Sequence, residues 1–77
     1  MKKAKPNEIR SLIDQAIQLA GGTQRNLADK IGMTQHAIHH ARKVGRVSAE
    51  LAGKIHDFTK GAVSREALRP DLFKSAA

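Results

Sequence analysis

The side chains best suited to specific chemistry lie between Gln35 and Lys43. The amide of a glutamine at the start of a helix can bond N6 and N7 of one adenine at the same time in the major groove of DNA. Imidazole and ammonium groups follow, and the segment contains no acidic residue. The residues predicted to read base edges are Gln35, His36, His39 and Lys43. Hydrogen bonding to DNA bases is therefore the chemistry indicated, and a solvated polar face is the alternative.

Further cationic and polar side chains around this segment are candidates for contacts with DNA phosphates. A cation beside a phosphate releases bound counterions and stabilises binding whatever the base sequence. Lys43 belongs to this group as well as to the base-reading one. The other predicted phosphate contacts are Arg25, Lys30, Thr34, His40, Arg42 and Arg46. Arg65 and Arg69 lie outside the group, and we expect them to pair with Glu66 or Asp71.

Histidines 36 and 40 also allow a second chemistry, because residues four apart lie one helical turn apart, as metal ligands often do. A structural zinc site, however, takes four ligands. The histidine cluster has no acid beside it, the chain has no cysteine, and His56 falls on a different predicted helix. We therefore rank contacts in a DNA groove first, an inert solvated face second and a metal site third. No metal and no cofactor are expected.

Two short helices must position these side chains. Thr23 and Thr34 are suitable N-caps, and each is followed by apolar residues at helical spacing. These apolar residues are Leu27, Ala28 and Ile31 in the first helix, and Ala37, Ile38 and Ala41 in the second. Gly32 can adopt the left-handed conformation that a tight turn between them requires. Two short helices joined by such a turn are typical of a helix-turn-helix.

The rest of the chain predicts further helices and no strand. Pro6 or Asn7 begins the first helix, whose apolar residues are Ile9, Leu12, Ile13, Ala16, Ile17 and Ala20. Ser48 caps a later helix that Gly61 stops, and Ser64 caps a last one that reaches Leu68. Leu72 and Phe73 are expected to fold back onto the core. The prediction is an all-α, compact four- to five-helix bundle at 7–73, with a mobile basic arm at 1–6 and a short tail at 74–77.

Length and charge limit the classes of function. Seventy-seven residues allow one domain, and a formal net charge of +7 favours a polyanionic partner. Residues 23–46 hold five bases and one acid, so the excess charge coincides with the predicted helix-turn-helix. No disulfide is possible without cysteine, and no apolar run is long enough to cross a bilayer. The N-terminal residues lack the apolar segment of a secretory signal, so a cytoplasmic location is expected.

Several short motifs resemble those of a known family. The predicted helix-turn-helix resembles that of lambdoid phage repressors and Cro proteins at Thr23-Gln24, Leu27-Ala28, Gly32, Thr34-Gln35 and Ile38. The flanking chain is similar to YdaS-type, Cro-like regulators of prophages at Ala20-Gly21-Gly22, Gly45-Arg46-Val47, Ala49-Glu50, Gly61 to Glu66 and Leu68 to Phe73. Members often carry Trp where this chain has Ala41 and Pro where it has Ser48.

This resemblance covers roughly Ile13 to Phe73 and implies a lambda-repressor-like fold that binds DNA as a two-fold dimer. It also implies that Gln24 contacts a phosphate and braces Gln35. The leading hypothesis is a sequence-specific, double-stranded DNA-binding transcriptional regulator, a Cro-like repressor of phage or prophage type. The alternative is an antitoxin-type protein that neutralises a protein toxin and could regulate its own operon. An enzyme is not expected, since no paired carboxylates or activated nucleophile are apparent.

Overall fold

Five helices make up most of the structure, a computed structural model that describes residues 5–73. They are α1 (Pro6–Leu19), α2 (Gln24–Ile31), α3 (Gln35–Val44), α4 (Ala49–Thr59) and α5 (Arg65–Leu68). No strand occurs within this range, so the predicted all-α class is confirmed. Residues 1–4 of the predicted arm and the whole tail at 74–77 lie outside the described residues. Within 5–73, no helix has both the length and the apolar character needed to cross a membrane.

Four of the helices are preceded by a threonine or serine whose side chain caps the N-terminus of the helix. In each case the hydroxyl oxygen accepts a hydrogen bond from the backbone N–H three residues later, at 3.1–3.2 Å. The pairs are Thr23 with Asn26, Thr34 with Ala37, Ser48 with Leu51, and Ser64 with Ala67. An N-cap of this kind typically contributes about 1 kcal/mol. The four predicted caps are therefore confirmed.

The core is built from apolar residues that recur every three or four positions in the helices, together with residues from the connections. The largest side chains with almost no solvent exposure are Ile13, Leu27, Ile38, Ile55, Val63 and Leu68. Each such side chain stabilises the fold by about 1.5–3 kcal/mol relative to an exposed position. Helix α1 packs against each of the other four helices, and α3 packs against α1 and α2. The central position of α1 therefore lets it influence how α3 is held.

The C-terminal part differs from the sequence-based expectation at two points. Phe73 packs against the core as predicted, and the Arg65 guanidinium lies 5.4 Å from its ring centroid. Leu72, however, is 52% exposed, because the turn after α5 directs it away from the core. Helix α4 ends at Thr59, and Lys60 itself takes the left-handed conformation (φ 53°) before Gly61. The glycine therefore follows the end of the helix rather than terminating it directly.

Candidate nucleic-acid interface

The outer face of α3 carries the four side chains predicted to read bases. Gln35, His36, His39 and Lys43 are all exposed, whereas Ile38 on the opposite side is completely buried. None of the four exposed side chains forms a hydrogen bond or an ion pair with another residue of the range 5–73. The helix has ten residues, which makes it about 15 Å long. This face is thus a short polar surface whose hydrogen-bonding groups are available to a ligand.

A three-residue connection places α3 against α2. Gly32 has φ 71° and ψ 30°, the left-handed conformation predicted for it, and the backbone N–H groups of Gly32 and Met33 donate to the carbonyl oxygen of Ala28. Thr34 then caps α3. Ala28 is only 2% exposed, as expected for a small residue where two helices meet closely. The connection therefore ends one helix, begins the next and fixes the N-terminal end of α3.

The C-terminal end of α3 is held by Arg10 from α1. Its Nε donates to the carbonyl oxygen of Arg42, and its Nη2 donates to that of Lys43, both at 3.0 Å. Its Nη1 donates to the Asn7 side chain at 2.9 Å. The last carbonyls of a helix lack intrahelical partners and carry partial negative charge, so a guanidinium is well suited to this position. Arg10 therefore fixes α3 to α1 at the end opposite the Gly32 turn.

A second connection between α1 and α3 uses Arg42 itself. Its Nε and Nη2 donate to the two carboxylate oxygens of Asp14, at 2.6 and 3.1 Å. These hydrogen bonds, with the negative charge of Asp14, raise the pKa of the Arg42 guanidinium above its ordinary value. Both side chains are nearly half exposed. Arg42, one of the predicted phosphate contacts, is thus already paired with a carboxylate, and its contact with phosphate stays a prediction.

The other predicted phosphate contacts are placed at both ends of the α2–α3 pair. Arg25 and Lys30 are exposed on α2, and Gln24 is partly buried at the start of that helix. The Thr34 hydroxyl accepts the capping hydrogen bond, which leaves its own proton free to be donated. Arg46 is exposed beyond the C-terminal end of α3. These positions are compatible with the predicted roles, which nothing in the structure tests.

The histidines of α3 lie close together on the exposed surface. The rings of His36 and His40 are nearly parallel, with centroids 6.3 Å apart and an angle of 23° between their planes. No group of three or more His, Cys, Asp or Glu residues that could hold a metal ion is found in the part of the chain that the structure describes. The pair is thus a polar, stackable surface on the helix that carries Gln35.

Arg69 and Asp71 form a structural pair outside α3, as the sequence predicted for Arg69. The Arg69 guanidinium donates to both Asp71 carboxylate oxygens, at 3.0 and 2.8 Å, and to the carbonyl oxygen of Val47 at 2.9 Å. The hydrogen bonds from Arg69 lower the pKa of Asp71 to about 2. The second predicted pair is looser, with 3.7 Å between Arg65 Nε and a Glu66 oxygen. Arg69 thus ties the chain after α5 to the loop before α4.

The sequence did not identify Arg10 or Asp14 as residues that support α3. Helical periodicity places both outside the apolar positions of the first helix, on a face where charged residues are usually solvated. Their partners are 28 to 33 positions away in the sequence, so no local pattern relates them to α3. The one available signal was a basic residue in the helix that precedes α2 and α3, and that signal alone does not specify a partner.

Comparisons with known proteins give one match. A family model described as bacterial toxin YdaS matches residues 13–77. No curated protein matches the chain, and no solved structure does either. The matched range includes α2, α3, α4 and α5 together with the greater part of α1.

Proposed function

The chain belongs to the YdaS family, and we propose that this member is a sequence-specific, double-stranded DNA-binding transcriptional regulator. In this proposal α2 and α3 form a helix-turn-helix, and α3 enters the major groove as the recognition helix. Gln35, His36, His39 and Lys43 read base edges. Gln24, Arg25, Thr34, His40, Arg42 and Arg46 contact phosphates.

The observation that carries the proposal is the outer face of α3. It combines an amide, imidazoles and an ammonium group, its side chains are exposed, and they have no hydrogen-bonding or ionic partner among residues 5–73. An α-helix with its side chains is about 10–12 Å in diameter, which fits the major groove, about 12 Å wide. Both ends of the helix are fixed, by the Gly32 turn and by Arg10. Fixing the helix reduces the ordering that binding would otherwise require, which favours specific recognition.

The distribution of charge supports the same proposal. The segment from 23 to 46 carries five bases and one acid, and the whole chain has a net charge of +7. A cationic surface beside the recognition helix attracts the phosphate backbone and speeds association with DNA. Regulators that use a helix-turn-helix commonly bind as two-fold dimers to half-sites about one helical turn apart. We therefore propose a homodimer on DNA.

Selection of bound fragments from random duplex DNA tests the proposal directly. We expect the full chain to enrich a sequence with two related half-sites spaced by about 10 base pairs. Repeating the selection with Gln35→Ala should give a motif that has lost its preference at one or two positions in each half-site. Enrichment of no sequence by the wild-type chain at moderate salt would exclude a sequence-specific regulator.

A second candidate function is a protein–protein role in a toxin–antitoxin pair. The description of the matching family as a bacterial toxin favours it, and the chain would then act on, or neutralise, a protein partner. The same selection separates a protein–protein role alone from a role that includes DNA binding, since a protein without a DNA role should enrich no duplex sequence. Both activities can reside in one chain when an antitoxin also represses its own operon.

A further inference from the structure

A groove lies beyond the C-terminal end of α3, on a part of the molecule that the proposed DNA contacts use only at Arg46. It has a volume of about 440 Å³, which is in the range of ligand pockets. Ile9 and Leu68 also line it, but with exposures of 2% and 1% they belong to the core and present almost no surface to an occupant. Pro6 and Pro70 contribute rigid apolar surface from α1 and from the chain after α5. The groove is therefore mostly apolar and is formed by three separate parts of the chain.

Two of the charged side chains that line the groove are paired with each other, and two are available to an occupant. Arg69 and Asp71 neutralise each other through two hydrogen bonds, and Arg69 also donates to the Val47 carbonyl. Lys5 and Arg46 are exposed, and neither side chain makes a hydrogen bond or an ion pair within the described range 5–73. The groove thus presents two cationic groups beside apolar surface, and its only carboxylate is already bound.

These two properties together indicate the chemistry of the occupant. DNA would use the cations, but its phosphate backbone offers nothing apolar to cover Pro6 and Pro70. A peptide with a bulky apolar side chain between acidic residues satisfies both requirements, because its side chain removes the accessible surface of the two prolines from water and its carboxylates face the cations.

We propose that this groove, which we call the Lys5–Arg46 groove, is a docking site for an acidic peptide segment of a protein partner. A leucine, isoleucine or phenylalanine of the peptide lies against Pro6 and Pro70, and flanking aspartates or glutamates face Lys5 and Arg46. Gly45, which ends α3, is also part of the groove. The occupant therefore contacts the end of the helix that the proposed function places in DNA, but its binding does not require DNA.

Selection from a phage-displayed library of random twelve-residue peptides, with the full chain immobilised and no DNA present, tests the proposal. We expect enriched peptides to contain an apolar residue flanked by acids. The double variant Lys5→Glu/Arg46→Glu should bind a synthetic enriched peptide about tenfold more weakly, since two attractive pairs become repulsive. Both positions are exposed, so circular dichroism should show an unchanged fold. Enrichment of no peptides, or of peptides without acids, would overturn the proposal.

The control variant Lys54→Glu/Lys60→Glu makes the same change in net charge at positions that do not line the groove. It should bind the peptide within about twofold of the wild type, because charges outside the groove are largely screened by salt. Amide chemical shifts give a second readout of location. Peptide-dependent shifts should cluster at Ile9, Gly45 and Asp71, and a cluster at Gln35 to His39 instead would contradict the assignment. Because the peptide selection contains no DNA, its failure would not count against the proposed DNA binding. Failure of the duplex selection would likewise not count against the docking site.

Discussion

The Asp14 carboxylate holds Arg42 through two hydrogen bonds, and a DNA phosphate would compete for the same guanidinium. If α3 is the recognition helix, as proposed, Asp14 limits the cationic surface next to it. A carboxylate near phosphates would also be repelled by them, so on this proposal Asp14 opposes DNA binding in two ways. The pair nevertheless links α1 to α3. Removing the Asp14 carboxylate would therefore weaken this link and leave the positive charge of Arg42 unpaired.

We predict that Asp14→Asn binds all duplex sequences more tightly and steepens the dependence of log affinity on log salt by about one unit. Arg42 is then free to neutralise one further phosphate. Asp29→Asn is the matched control, since it makes the same charge change at an exposed residue that forms no ion pair within the described part of the chain. Affinities measured by fluorescence anisotropy at several salt concentrations would distinguish the variants. Equal slopes for the two variants would mean that only net charge matters.

Gln35 and Lys43 are expected to act differently although they share one face of α3. Gln35→Ala should reduce discrimination in favour of the preferred base by about 1–3 kcal/mol, because a bidentate amide contact is lost. Lys43 was assigned to both groups of contacts, and we expect its phosphate role to dominate. Lys43→Ala should thus weaken binding to all sequences similarly and reduce the salt slope by about one unit. Competition binding with single-base variants of the selected site measures both effects, and identical profiles would refute the separation of roles.

At the scale of helices, the turns before and after α3 each contain a glycine, and the two glycines have nearly the same backbone conformation but different surroundings. Gly32 has φ 71° and Gly45 has φ 72°. A Cβ atom at Gly32 would meet nothing within 4 Å, whereas one at Gly45 would lie 2.5 Å from Pro6 Cβ and 2.8 Å from Pro6 Cα. The turn before α3 therefore needs glycine for its backbone angles alone. The turn after α3 also needs it for close contact with the start of α1.

We predict that Gly32→Ala lowers the free energy of unfolding by about 1–2 kcal/mol, the cost of placing an L-residue in the left-handed region. Gly45→Ala should lower it by about 1–3 kcal/mol more, because Pro6 must also move. Urea denaturation followed by circular dichroism measures both values, and each variant serves as the control for the other. Equal losses would show that the contact between Gly45 and Pro6 is unimportant.

The features that the sequence predicted well are local ones. A cap needs only a hydroxyl residue and a backbone N–H three positions later, so Thr23, Thr34, Ser48 and Ser64 could all be found from the sequence. Contacts between distant segments could not be found in this way. The support that Arg10 gives to α3, and the groove between α1 and the chain after α5, exist only after the helices have packed.

Leu72 is an apolar residue whose position the sequence likewise did not predict. Its bulk indicated a place in the core, but a turn within the range Arg69 to Phe73 decides which of two neighbouring side chains faces inward. Phe73 takes the inward position, and Leu72 remains half exposed. The candidate site was easier to predict than this turn, because the outer face of α3 follows directly from helical periodicity.

For the molecule as a whole, the Arg69–Asp71 pair connects the C-terminal turn to the loop before α4. Hydrogen bonds from Arg69 lower the pKa of Asp71 from 3.8 to about 2. The unfolded chain therefore takes up a proton at this carboxyl at higher pH than the folded chain does. The resulting stabilisation is fully present above about pH 4 and is lost as the pH falls through the interval from 3.8 to about 2.

We predict that Asp71→Asn is less stable than the wild type at pH 7 and that its stability falls less steeply between pH 4 and pH 2. The substitution removes the carboxyl whose proton affinity differs between the folded and unfolded states. Asp57→Asn is the control, since Asp57 is exposed and forms no ion pair in the range that the structure covers. Thermal melts at half-unit pH intervals measure the curves. A curve for Asp71→Asn parallel to that of the wild type would contradict the prediction.

The isolation of the outer face of α3 from the rest of the protein has a consequence for evolution. Gln35, His36, His39 and Lys43 have exposed side chains with no hydrogen-bonding or ionic partner elsewhere in 5–73, so substitutions there disturb little of the folded structure. Capping, core packing and the support from Arg10 are carried by other residues. A gene encoding this protein can therefore accumulate changes at these positions without first acquiring compensating changes in stability. If the proposed function is correct, such changes alter target preference, and directed evolution limited to these four codons should retarget the scaffold.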